Sequence, residues 1–153
     1  MNAISAQSSI TPFLWFDQNA HEAAEFYIGL FPNSRKVSEM QNPQTPGKPL
    51  VVSFDIDGLR VTAMNGGPHQ KLTAAFSFVV ACKDQKEIDH YWSRLTADGG
   101  AEVACGWLTD KFGLSWQIVP ANIGELVSHP KAFQAMMGMK KLNIAELEAA
   151  ARG

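Results

Sequence analysis

The order of apolar and polar positions along the chain falls into two similar passages. Residues 19–31 place Ala24, Tyr27, Ile28 and Phe31 at i, i+3, i+4 and i+7, the spacing of one apolar helical face. Ile88, Tyr91, Trp92 and Leu95 in residues 84–97 repeat that spacing, each lying 64 positions after its counterpart. Both segments open on a capping pattern, Asn19 with Glu22 and Asp84 with Glu87. Strands Ile10–Phe16 and Ala74–Val80 precede the two helices under the same shift. After the helices, Gly58-Leu59 is echoed by Gly113-Leu114 at a shift of 55, which makes Thr62 and Gln117 repeat mates. The shift drops because the Pro/Gly-rich segment 41–49 adds about nine residues to the first passage.

The remaining elements follow from strand and turn signals. Ser34–Met40 and Leu50–Ile56 read as strands, and Asp57-Gly58 is a two-residue hairpin signal leading into Leu59–Met64. In the second passage strands are expected at 101–108 and 114–119, with Asp110-Lys111-Phe112-Gly113 as a tight turn before the latter. Beyond Asn122 three helical stretches are expected, Ile123–Ser128, Lys131–Met137 and Ile144–Ala151, the last capped by Asn143. The pattern is that of an α+β chain in which one βα-plus-strands unit is duplicated. Its parts are a loose tail at 1–9, modules at 10–72 and 73–121, and a helical tail at 122–153, one structural domain in all.

Composition narrows the possibilities. With 153 residues, 46% of them apolar, the chain can bury a full core. A net charge of −2 gives no basic footprint for nucleic acid, and no apolar run is long enough for a membrane-spanning helix. The opening MNAISAQSS lacks the charged start and apolar segment of a signal peptide. Cys82 and Cys105, both within expected strands, read as reduced, packed thiols, so no disulfide and a cytoplasmic protein are expected.

A family resemblance rests on Pro12-Phe13-Leu14-Trp15-Phe16-Asp17, Glu25-Phe26-Tyr27, Asn65-Gly66-Gly67-Pro68-His69, Tyr91-Trp92, Cys105-Gly106-Trp107 and Asp110–Pro120. With these motifs running from about residue 10 to 150, the chain resembles the vicinal oxygen chelate superfamily, which includes glyoxalase I, extradiol dioxygenases and bleomycin resistance proteins. Within it the chain is similar to the PhnB-like, or demethylubiquinone methyltransferase-like, group. The resemblance implies tandem βαβββ modules forming an eight-stranded open cup, followed here by the C-terminal helices, and a homodimer. In metal-using members four ligands converge in the cup. Carried to this chain they fall at or beside Pro12, Thr62, Phe76 and Gln117. A divalent ion wants imidazole or carboxylate, which none of these or their neighbours offers, so no metal and no other cofactor is expected.

The expected function is therefore the binding of a small aromatic or amphipathic molecule in a cup with apolar walls. Phe16, Thr62, Met64, Asn65, His69, Phe78, Trp107 and Gln117 are the expected lining. Trp107 stands beside Gly106 and a turn, and Gln117 interrupts an apolar strand. His69, in a Gly/Pro loop, is the one candidate general base, against the plainer reading of a solvated loop histidine. The alternative is an enzyme of the same superfamily, a metal-assisted lyase or dioxygenase or the methyltransferase of the group's label. No glycine-rich strand-to-helix loop of the kind that holds a nucleotide-like cofactor is present.

Overall fold

The computed structural model describes residues 8–153, so residues 1–7 of the expected loose tail lie outside the described residues. The chain divides into two compact units, 1–72 and 73–153.

In the first unit, β1 (Phe13–Phe16), α1 (Ala20–Leu30), β2 (Arg35–Gln41), β3 (Pro49–Ile56) and β4 (Leu59–Asn65) follow in order. The sheet runs β1-β4-β3-β2, with β1 and β4 parallel and the other pairs antiparallel. The hairpin between β3 and β4 turns on Asp57 and Gly58, both at positive φ (47° and 80°), as a tight primed turn requires. Helix α1 packs across β3 and β4. Its buried face is Ala20, Ala23, Ala24, Tyr27 and Leu30, with Ile28 only half-buried. The three alanines let the helix sit close to the sheet, and Tyr27 stacks on Phe54 at a centroid distance of 6.3 Å. Removing a large apolar side chain of this kind from water contributes roughly 1.5–3 kcal/mol.

The second unit repeats the plan: β5 (Ser77–Cys82), α2 (Gln85–Thr96), β6 (Ala101–Glu102), β7 (Trp107–Thr109) and β8 (Ser115–Pro120), in sheet order β5-β8-β7-β6. Here α2 buries Ile88, Tyr91, Trp92 and Leu95, the face expected from spacing, and Asp84 caps it by accepting from the Glu87 N–H at 2.9 Å. Each unit is thus a mixed, open four-stranded sheet with a helix on one face, the α+β plan expected from the duplication.

Three local expectations are corrected. The segment 101–108 is two short antiparallel strands, because Cys105 and Gly106 turn the chain at positive φ (59° and 86°). Cys105 therefore sits in a turn, not in a strand. The shift of 64 holds for the helices but not for the strands before them. Phe13 pairs with Thr62, whereas Val79, 66 positions later, pairs with Gln117. Between equivalent positions the path from strand to helix is two residues shorter in the second unit, eight positions from Phe16 to Ala24 against six from Cys82 to Ile88. A slip of two keeps every side chain on its face.

The C-terminal segment forms α3 (Ile123–Leu126), α4 (Pro130–Met137) and α5 (Ile144–Arg152) and folds back on its own unit. Leu126, Leu142 and Leu147 form a small core with Val119 of β8. Backbone N–H groups of Cys105 and Gly106 donate to the carbonyls of Met139 and Lys140, both at 2.8 Å. Gln85, at the start of α2, donates to the Leu142 carbonyl at 3.0 Å and accepts from the Ile144 N–H at 2.8 Å.

Candidate functional site

Because side chains alternate across a strand, register assigns each candidate to one face of its sheet. In the first sheet Leu14, Phe16, Val52, Phe54, Val61 and Ala63 point to the helix side and are buried. The helix-free face carries Phe13, Trp15, Val51, Ser53, Thr62 and Met64, all half-buried or exposed. Thr62 and Met64 thus share a face, while Phe16, 3% exposed, lies in the helix-side core. Parity decides this: Phe16 pairs with Asn65, Trp15 with Met64.

Asn65 also turns to the helix side. Its Oδ1 accepts the Ala20 N–H at 2.8 Å, and its Nδ2 donates to the Pro49 carbonyl at 3.0 Å. It serves as the N-terminal cap of α1, a role expected of Asn19, which makes no side-chain capping bond. His69 is exposed in the loop after β4, and among the described residues no hydrogen bond or ion pair reaches its imidazole.

Trp15 was absent from the expected lining, yet it is the most firmly held aromatic of the helix-free face. Its indole N–H donates to the Gly67 carbonyl at 2.9 Å. A Cβ on Gly66 would lie 2.4 Å from the ring, so only glycine lets the backbone pass under it. The sequence shows the indole and the Gly66-Gly67 pair separately, and only the sheet brings them together.

Along the same face the side chains change character in rows. Trp15 and Met64 are followed by Phe13, Thr62 and Ser53, the two hydroxyls 3.2 Å apart. Next come Arg60, Asp55 and Arg35, where both guanidinium Nε atoms donate to the Asp55 carboxylate, Arg35 at 3.2 Å. The hydrogen bond from Arg60 holds the Asp55 carboxyl below the usual carboxylate range, and Arg35 adds to that.

In the second sheet Phe78 pairs with the buried Trp116 at a centroid distance of 5.2 Å and faces the helix side. The opposite face brings Trp107 and Gln117 together as cross-strand partners, next to Val79. Gln117 Nε2 donates to Ser77 Oγ at 3.0 Å. Asp110 ties the turn before β8: its carboxylate accepts from the N–H groups of Phe112 and Leu114 and from Trp116 Nε1 at 2.9–3.0 Å.

A concavity in the first unit, about 560 Å³, opens at the end of β1 and β4. It is lined by Asp17, His21, Glu22, Lys48 and Asn65 among others, a mixed polar set without an aromatic wall.

The four positions that correspond to metal ligands in metal-using members, at or beside Pro12, Thr62, Phe76 and Gln117, do not fit a divalent ion. Thr62 and Gln117 hydrogen-bond Ser53 and Ser77, and their strand partners are Phe13 and Val79. Among the described residues no three His, Cys, Asp or Glu side chains come together in a way that could hold a metal ion. No described helix is long and apolar enough to cross a membrane.

Comparison with known proteins agrees with this architecture. The family model of 3-demethylubiquinone-9 3-methyltransferase matches residues 8–119. The PhnB protein of Bacillus cereus is 31% identical over 73% of this chain and 99% of its own, with a TM-score of 0.67. The fosfomycin resistance protein FosX of Listeria monocytogenes, solved with manganese(II) and sulfate, is 18% identical over 80% of this chain and 95% of its own (TM-score 0.54). FosX of Mesorhizobium loti is 15% identical over 82% and 99% (TM-score 0.57), a likeness of fold alone. No curated protein matches the chain significantly. Motifs, paired βαβββ units and the family match lead to one assignment: the chain belongs to the 3-demethylubiquinone-9 3-methyltransferase (PhnB) family of the vicinal oxygen chelate superfamily.

Proposed function

We propose that this protein binds a small aromatic or amphipathic molecule without a metal ion. The observation that carries the reading is the helix-free face of the first sheet. There a fixed indole, Trp15, and Met64 flank the Ser53–Thr62 hydroxyl pair. An apolar wall with a few hydrogen-bonding groups is the usual make-up of a small-molecule site. Trp107 and Gln117 offer the same pairing on the second sheet. Phe16, Phe78 and Asn65 act behind these faces as supports, and His69 stays a solvent-facing residue of the β4 loop. Chemistry needing a Lewis acid is disfavoured by donors that are hydroxyls and an amide. The protein works as a cytoplasmic homodimer in this reading.

The test is elemental analysis of tag-free protein, then calorimetry with nickel, zinc, manganese and iron(II), then tryptophan fluorescence against small aromatics. No stoichiometric metal, together with a saturable fluorescence change lost in Met64→Ala, is the expected result. One tightly bound metal per chain would overturn the metal-free reading. A flat fluorescence response to every aromatic would overturn the binding reading. The family name supports a second reading, methyl transfer, which predicts that a nucleotide-like methyl donor gives heat in the same calorimeter.

A further inference from the structure

The rows on the helix-free face of the first sheet run from apolar through hydroxyl to cationic. We infer from this order that the ligand is an amphipathic monoanion, its apolar end against Trp15 and Met64 and its carboxylate at Arg60 and Arg35. The inference rests on the binding function proposed above and specifies the ligand class.

Three features of the arrangement carry it. First, register: Arg60, Thr62 and Met64 alternate along β4 on one face, opposite Asp55, Ser53 and Val51 of β3. At about 3.3 Å per residue, Arg60 lies about 13 Å from Met64 and the hydroxyl pair lies halfway. Second, charge: two guanidinium groups converge on one carboxylate, which leaves the cluster with one positive charge. A monoanion neutralises it, whereas a dianion would leave an unpaired charge beside a half-buried apolar wall. Third, donor capacity: the contacts to Asp55 use Nε of Arg35, and Nε and one Nη of Arg60. Among the described residues no protein acceptor takes the Nη groups of Arg35, whose side chain is 70% exposed. Such a pair of N–H groups is the fork that a planar carboxylate fits. Asp55 draws both guanidinium groups to one point of this face, which lowers the ordering that binding must accomplish.

A structural reading competes with this one, in which the three charges do no more than tie β2, β3 and β4 together. The two readings differ in what a ligand senses. The probes are 11-(dansylamino)undecanoate, whose chain can span the face, its primary amide, and the phosphate monoester of the same chain, titrated by dansyl fluorescence. The carboxylate is expected to bind about tenfold tighter than the amide, the worth of one charge-assisted hydrogen bond pair, and the margin should shrink as salt is raised. Arg35→Gln, which leaves Asp55 paired with Arg60, should bring the ratio close to one. Asp55→Asn removes the competing carboxylate and should widen the ratio. Both variants are checked for a native unfolding transition, and their opposite signs separate ligand recognition from loss of fold.

Equal affinity for carboxylate and amide would overturn the monoanion assignment while leaving the binding function intact. So would a ratio that neither variant changes, or tighter binding of the phosphate. Failure of all three probes to bind would overturn both proposals.

Discussion

The side-chain oxygen of Asn65, the last residue of β4, accepts the backbone N–H of Ala20, the first residue of α1, at 2.8 Å. The same amide donates to Pro49 at the start of β3. One side chain thereby joins three elements far apart in sequence. It also satisfies a helix-terminal N–H that Asn19 leaves unbonded. Asn65→Ala is expected to cost about 1–3 kcal/mol, since both polar partners lose their bond in a half-buried place. Asn65→Asp keeps an acceptor for Ala20 but no donor for Pro49, so its loss should be the smaller. Urea unfolding of the three proteins tests this; an alanine variant as stable as the parent would show the amide to be dispensable.

The contact of Trp15 with the backbone after β4 predicts a strong size limit at Gly66. Gly66→Ala places a methyl 2.4 Å from the indole and must displace it or the chain. The expected outcome is a loss of about 1–3 kcal/mol together with a changed Trp15 emission spectrum. Gly124 has open space where a Cβ would go, so Gly124→Ala is the matched control and should leave both readings unchanged. An unaltered spectrum in Gly66→Ala would argue that the indole is not held as described.

The two cysteines should differ sharply in reactivity. Burial, reinforced by the nearby carboxylates of Glu87 and Asp84, pushes the Cys82 thiol up to about 12. Cys105 is half-exposed in its turn. At pH 8 a thiol reagent such as Ellman's should titrate one thiol in the native protein and two after unfolding. Cys105→Ser should abolish the native signal, and persistence of that signal would contradict the placement of Cys82.

Asp55 gives the first sheet a dependence on pH whose sign follows from linkage. Hydrogen bonds from Arg60 and Arg35 lower its folded pKa below the unfolded value of about 3.9. Its contribution is therefore fully present above that value and is lost as pH falls through the folded pKa. Asp89 is lowered in the same direction by Lys141 and Gln85 and acts with the same sign. Urea midpoints between pH 6 and pH 3 should fall, and Asp55→Asn should flatten part of that fall. Identical slopes in parent and variant would remove Asp55 from the account.

Gln85 braces the C-terminal helices through its bonds to Leu142 and Ile144. Gln85→Ala should raise amide exchange across 140–153 well before it lowers the global midpoint, because the segment opens locally. Uniform exchange across the second unit would show instead that the tail and the sheet unfold as one.

The sequence by itself determined the duplicated plan, the apolar face of α2, the caps at Asp84 and Asn143, and the Asp57-Gly58 hairpin. These depend on neighbours within a few positions in the chain, where spacing and turn chemistry act directly. It determined the family as well, since motifs such as Asp110–Pro120 are contiguous. What the tertiary structure decided was which face each strand residue serves. Phe16 and Phe78 went to the helix side, and Trp15 to the open one. Those assignments hang on pairing register, and a shift by one residue would exchange the two faces. Asn65 became a helix cap because β4 ends beside α1, a proximity of residues 45 apart that local spacing does not encode. The meeting of Arg35, Asp55 and Arg60 on one face has the same origin, in three strands brought together only by the fold.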